Sequence, residues 1–154
     1  MSKVEMDAID HKILHLLTTN ARMPFLEVAR ECGVSGAAIH QRVKKLTDMG
    51  VIHGTRLEVD PKALGYDVCA IVAVSTDDST DYKATAEALR AIPEVVGCHF
   101  ITGQHNLLLK LYCRDHEHFM NTLMERVRRI PGVKSTETHI SLYEAFSRQV
   151  QAEK

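Results

Sequence analysis

A six-residue pattern, R-x-I-P-x-V, occurs twice in the chain. It appears as Arg90-Ala91-Ile92-Pro93-Glu94-Val95 and, 38 residues later, as Arg128-Arg129-Ile130-Pro131-Gly132-Val133. Each copy reads as the end of a helix, a proline that cannot continue it, and the start of a strand. Two such passages at this spacing imply two similar β-α-β halves, the split βαβ or ferredoxin-like arrangement. The flanking pattern agrees. An apolar strand at 68–74 precedes a helix at about 80–92, marked by Tyr82, Ala86, Leu89 and Ile92. A strand at 95–102, a tight turn at Gly103-Gln104-His105-Asn106 and a strand at 107–113 follow. A second helix at about 116–130 buries Phe119, Leu123, Val127 and Ile130, and a last strand runs from about 134 to 142.

This arrangement covers one sheet face with helices and leaves the other open. On the strand 107–113, Leu107, Leu109, Leu111 and Cys113 point one way and Leu108, Lys110 and Tyr112 the other. On the last strand Thr136, Thr138, Ile140 and Leu142 oppose Glu137, His139 and Ser141. Neither strand has a fully polar face, so the open side is expected to pack on a second copy of the chain. The alternative is a monomer with a half-polar, solvated sheet.

Before residue 50 the apolar period is helical. Ile9, Ile13, Leu16 and Leu17 mark a first helix with Asp7 as its N-cap. Phe25, Val28, Ala29 and Cys32 mark a second, opened by Pro24 and ended by Gly33. Ser35 caps a third, with Ile39, Val43 and Leu46 inward and Gly50 at its end. Ala29 lets two helices approach closely, Gly33 supplies the tight turn, and Val34 and Ile39 pin the third helix to the second, as in a helix-turn-helix. Residues 55–59 alternate like a short strand before the break at Asp60-Pro61. The fold class is therefore α+β. A helix-turn-helix (winged-helix-like) domain at 1–60 is followed by a βαββαβ domain at 61–154.

A helical wheel places Ala37, Gln41 and Lys44 opposite the core, flanked by His40 and Lys45, with Arg42 nearer the core edge. Small residues at the N-terminal end permit close approach to a major groove. Gln41 can pair with a base edge, and Lys44 and Lys45 with guanine or phosphate. The candidate DNA-binding residues are Ser35, Gly36, Ala37, His40, Gln41, Arg42, Lys44 and Lys45, with double-stranded DNA as the partner. His53 and Arg56 can add backbone contacts. By motif alone, a three-helix packing domain with a solvated polar face is the competing reading. The whole chain carries 19 basic and 20 acidic residues, so no general basic field draws in a polyanion. Residues 35–46, however, hold three basic and no acidic side chains.

Other functions find little footing. The longest apolar run, 68–74, is far short of the roughly 20 residues of a membrane span. No apolar leader is visible at the N-terminus, so a cytoplasmic location is expected. Cys32, Cys69, Cys98 and Cys113 sit singly in apolar stretches and read as free thiols. His11 and His15, and His116 and His118, lack cysteine or carboxylate partners at zinc spacing, so no metal is expected. No phosphate loop, nucleophile elbow or HExxH is present, so neither a cofactor nor catalysis is expected.

The order of the pieces resembles a known family. Met6-Asp7-Ala8-Ile9-Asp10-His11-Lys12-Ile13-Leu14 looks like its LDxxDxxIL opening, Asn20-Ala21-Arg22 like its NxR, and Leu46-Thr47-Asp48-Met49-Gly50-Val51-Ile52 like its LxxxGVI. Asp60-Pro61-Lys62-Ala63-Leu64-Gly65-Tyr66 resembles its domain junction. Thr102-Gly103, Pro131-Gly132-Val133 and Thr136-Glu137-Thr138 resemble landmarks of its second domain. The family is that of the leucine-responsive/AsnC (feast/famine) transcription regulators, and the likeness runs from about residue 5 to 146. It implies a DNA-binding N-terminal domain and a ligand-sensing C-terminal domain that forms homodimers, often assembled into octamers. It also implies a small effector, commonly an amino acid, bound between dimers near the Gly-containing turn. Carried over, the effector-binding candidates are Gly103, Gln104, His105, Asn106, Thr136 and Thr138. Where the family turn usually ends in Asp, this chain has Asn106, which lacks the charge to pair with an ammonium. Some relatives on this scaffold decarboxylate tetrapyrroles, which leaves an enzyme as one alternative. An effector-binding oligomer without DNA binding is another.

Overall fold

The computed structural model describes residues 5–77 and 79–150. The chain divides into two compact units, Met1–Glu58 with Phe146–Lys154, and Val59–Ala145. Set beside the domains expected from the sequence, the division falls at 58/59, and the tail from Phe146 counts with the first unit. Residues 1–4 and 151–154, the outer ends of those two domains, lie outside the described residues.

The first unit holds three helices, α1 (Ala8–Thr19), α2 (Phe25–Cys32) and α3 (Gly36–Asp48). Asp7 caps α1 in a reciprocal box. Its Oδ1 accepts from the Asp10 N–H at 2.9 Å, and Asp10 Oδ2 accepts from the Asp7 N–H at 3.2 Å. Gly33 ends α2 at φ +67°, in the left-handed region a side chain resists. The Ser35 hydroxyl then opens α3 by accepting from the Ala38 N–H at 3.2 Å. Ile13, Val28, Ala29 and Ile39 form the core between the helices, joined by Leu16, Phe25, Val34 and Val43.

The alternation at 55–59 does not become a strand. Residues 52–60 carry no regular structure, and Leu57 and Val59 are exposed. Alternation suits a strand only where a neighbouring backbone supplies the ladder, and none of the described residues pairs there.

The second unit carries β1 (Val68–Thr76), α4 (Tyr82–Arg90), β2 (Val95–Phe100), β3 (Leu107–Cys113), α5 (His116–Thr122) and β4 (Val133–Ser141). The sheet order is β2-β3-β1-β4 and every pairing is antiparallel, as the split βαβ pattern requires. Alternate residues of β1 and β3, from Val68 to Val74 and from Leu107 to Cys113, meet Leu89, Ile92, Phe119, Leu123, Val127 and Ile130 in one core. The second helix is not uniform. It passes at Leu123–Val127 into a π turn, with the Arg128 N–H bonded to the Leu123 carbonyl at 2.9 Å.

The sequence repeat is a structural repeat. Ile92 and Ile130 are both buried. The Val95 N–H reaches the Ile92 carbonyl at 3.0 Å, and the Val133 N–H reaches the Ile130 carbonyl at 3.1 Å. The second copy differs at Gly132, which adopts φ +87°, and a Cβ there would stand 2.5 Å from Thr80 Oγ1. Gly132→Ala should therefore lower unfolding stability by about 1–3 kcal/mol, read from denaturant melts.

Candidate functional site

On α3, burial follows the amphipathic pattern. Ile39 and Leu46 are fully buried, while Ala37, His40, Gln41, Lys44 and Lys45 are exposed. Gly36 is half-buried beside the exposed cap Ser35, so the N-terminal end of the outward face is small. His40 is partly used for packing, edge-on to Phe25 with the ring centroids 4.7 Å apart.

The basic residues of this helix are not equivalent. Lys44 makes a surface pair with Asp48 at 2.8 Å, and such a pair is worth little and exchanges readily for another anion. Lys45 has no ion-pair partner among the described residues. Arg42 turns inward. Its Nη1 donates to Asp7 Oδ2 and to Asp10 Oδ1, each at 2.7 Å, and the Asp10 side chain is only 2% exposed. The cation expected on the DNA face thus ties α3 to the N-terminal cap of α1. Wheel geometry put it at the core edge, but its partners lie 35 and 32 residues away, beyond any local pattern. Lys12 adds a second tie, from its Nζ to the Glu31 carbonyl near the end of α2.

The Asp10 N–H, followed by the Arg42 guanidinium, holds the Asp7 carboxyl below the usual carboxylate range. A carboxyl lowered in the folded state stabilises fully above its ordinary value of 3.8. That contribution is lost as pH falls through the lowered value. Acid titration followed by circular dichroism should show a helical transition below about pH 4, shallower in Asp7→Asn.

The second group of candidates surrounds the turn between β2 and β3. Gly103 has φ +118°, and the Asn106 backbone closes the turn through Ile101 N–H to its carbonyl and its own N–H to Val74, each at 2.9 Å. The Asn106 side chain is already used, since Oδ1 accepts from the Thr76 N–H at 2.8 Å. Gln104 lies exposed, and its carbonyl stands 3.5 Å from Ser75 Oγ.

His105 joins the turn to the sheet. Its Nδ1 is 2.9 Å from Ser75 Oγ, and its Nε2 is 3.2 Å from Glu137 Oε2. A carboxylate only accepts, so Nε2 carries the proton toward Glu137. The other oxygen of Glu137 meets His139 Nε2 at 3.0 Å. Ser75, His105, Glu137 and His139 thus form one polar chain.

The structure does not bring Thr136 and Thr138 into this chain. They pair with Val74 and Val72, which are buried on the helix-covered face, and strand alternation sets Glu137 and His139 on the opposite face. Ser75 and Glu137 are the residues missing from the sequence-derived set. Glu137 stands between Thr136 and Thr138 in sequence, but only the β1–β4 register brings it to the turn.

At the far end of the sheet a cleft of about 530 Å³ is lined by Tyr66, Glu94, Arg114, Asp115 and His118 among others. Burial works against the Glu94 carboxylate. Its own backbone N–H, His118 at 3.0 Å and Arg126 at 2.7 Å outweigh that and hold it below the usual range. Among the described residues no cluster of three or more His, Cys, Asp or Glu side chains is arranged to hold a metal ion. None of the described helices is long and apolar enough to cross a membrane.

Known proteins share both parts of this architecture. Residues 6–47 match the AsnC-type helix-turn-helix domain, and residues 69–151 match the Lrp/AsnC ligand binding domain. The regulatory protein AsnC of Haemophilus influenzae is 34% identical over 95% of this chain and 97% of its own length. The solved structure of Escherichia coli AsnC superposes with a TM-score of 0.86 at 33% identity, covering 96% of this chain and 99% of that one. The Neisseria meningitidis transcriptional regulator NMB0573, solved as a complex with L-Met, gives a TM-score of 0.86 at 25% identity, with 94% of each chain covered.

Proposed function

The chain belongs to the Lrp/AsnC family of DNA-binding transcriptional regulators, and from that premise we propose that it reads specific double-stranded DNA through the outward face of α3. The observation that carries the reading is the division of labour on this helix. Ile39 and Leu46 are buried, Arg42 is turned inward, and the small face at Gly36 and Ala37 leads to exposed Gln41 and Lys45. Gln41 meets a base edge, Lys45 meets phosphate, and Lys44 exchanges Asp48 for phosphate. The chain acts as a homodimer, assembled further into an octamer, and works in the cytoplasm beside its DNA. Its role is regulatory rather than catalytic.

DNA binding is tested by gel shift on the chain's own upstream DNA. Gln41→Ala should lose at least about tenfold on that duplex and much less on a scrambled one. Lys45→Ala should weaken both alike and lower the salt slope by about 1. Full binding by the Gln41→Ala/Lys45→Ala double variant would remove this face from the assignment.

The small-molecule effector belongs at the turn Gly103–Asn106, and we assign it to a free amino acid. The Neisseria complex with L-Met supports that chemistry in a relative. The anion for its ammonium comes from Glu137, because Asn106 has no charge and its oxygen is engaged with Thr76. Glu137 is exposed and already linked to the turn through His105. A thermal-shift screen of the twenty amino acids should give a positive shift for at least one. At a hundredfold excess over Kd a single site adds about 2.7 kcal/mol, and Glu137→Gln should remove the shift. No shift with any of them at millimolar concentration would end the amino-acid assignment.

A further inference from the structure

We propose that Arg42 is the positioning residue of the DNA-reading helix: clamped by Asp7 and Asp10, it fixes the aim of Gln41 and Lys45 while making no DNA contact of its own. The inference rests on the DNA-reading assignment above. The burial of Ile39 and Leu46 seats α3 but supplies no directional bond that sets its rotation. The Arg42 bonds are directional. One guanidinium nitrogen donates to two carboxylates at the start of α1, the N-cap Asp7 and Asp10, each at 2.7 Å.

Those carboxylates are themselves fixed. Asp7 and Asp10 exchange backbone and side-chain bonds in the α1 capping box, and Asp10 is buried. The clamp therefore joins the capped N-terminus of α1 to the residue following Gln41. A turn of α3 about its axis would stretch both bonds and swing Gln41 by the same angle. The inward charge also explains why a helix with three basic residues presents fewer free cations than its composition suggests.

The test uses the full-length chain and a duplex selected from random DNA by the wild-type protein, with a scrambled duplex of equal length beside it. Affinities are measured over a salt series for Arg42→Gln, Arg42→Lys and Asp7→Asn, at temperatures where circular dichroism shows each folded. Arg42→Gln should lose at least about tenfold on the selected duplex and less than about twofold on the scrambled one, with an unchanged salt slope. Arg42→Lys should recover part of that loss. Asp7→Asn should reproduce part of it, although it changes nothing on α3. If Arg42→Gln does not fold, the other two variants carry the comparison.

Uniform weakening on both duplexes with a slope lowered by about 1 would make Arg42 a phosphate contact and overturn the proposal. Unchanged discrimination in folded variants would reduce the clamp to a stabilising role and overturn it as well. If selection enriches no sequence at all, the DNA-reading assignment itself fails, and the proposal with it.

Discussion

Antiparallel pairing of β1 with β3 is the constraint on which the second unit depends. Val74 stands opposite Leu107, Val72 opposite Leu109 and Ala70 opposite Leu111, and all six are essentially inaccessible. This ladder lies in the middle of the sheet, so the register of both outer strands is set from it. A slip of one residue would turn the Leu-rich face outward and Lys110 and Tyr112 inward. The same register sets Ser75 beside His105, and the β1–β4 register then adds Glu137, so the geometry beside the turn follows from strand pairing in the core. On the opposite face Cys69, Ile71, Leu108 and Tyr112 are half-buried at most, and this is the surface that pairing with a second copy would use.

Much of the fold was legible in the sequence because its signals are local. Asp7, Ser35 and Gly33 act within a turn of their own helices, and the two Ile-Pro stops act at the next strand. The alternation at 55–59 misled because it describes side chains, whereas a strand is decided by a partner backbone. The candidate sites were harder for a related reason. Ala37, Gln41 and Lys45 could be placed by the helical period alone. Arg42 could not, because its energetics lie in two carboxylates on another helix. Thr136 and Thr138 were carried over by likeness, while the side chain that meets the turn is the one between them.

Ion pairing changes the meaning of the near-neutral charge. Three basic residues on α3 suggest a local positive patch, but two of them have acidic partners within 2.8 Å. On the proposed reading face each α3 then offers little diffuse attraction, and the proposed discrimination rests on aim. In the proposed oligomer, assembly would compensate for weak single contacts. Linking several helices raises the effective concentration of each at the DNA once the first has bound, by factors of about 10²–10⁴ when spacing permits. A chain that relies on such spacing gains most from recognition helices that do not rotate.

The turn imposes a matching requirement on any effector. A ligand shifts an equilibrium only by the difference in its affinity for two states. A ligand bound by Glu137 meets a carboxylate whose two oxygens each already accept from an imidazole, His105 and His139, so it shares or displaces those contacts. Where it displaces them, ligand binding and retention of the imidazole contacts oppose each other at one carboxylate. His105 is also bonded to Ser75 at the end of β1, so loss of its Glu137 contact would leave the turn held by Ser75 and, through Asn106, by Thr76. At the proposed effector site, ligand occupancy would thereby trade one contact of residues 103–106, that of His105 with Glu137, for contacts to the ligand. A surface formed partly by that turn could respond to the ligand without any change in the β1–β3 core.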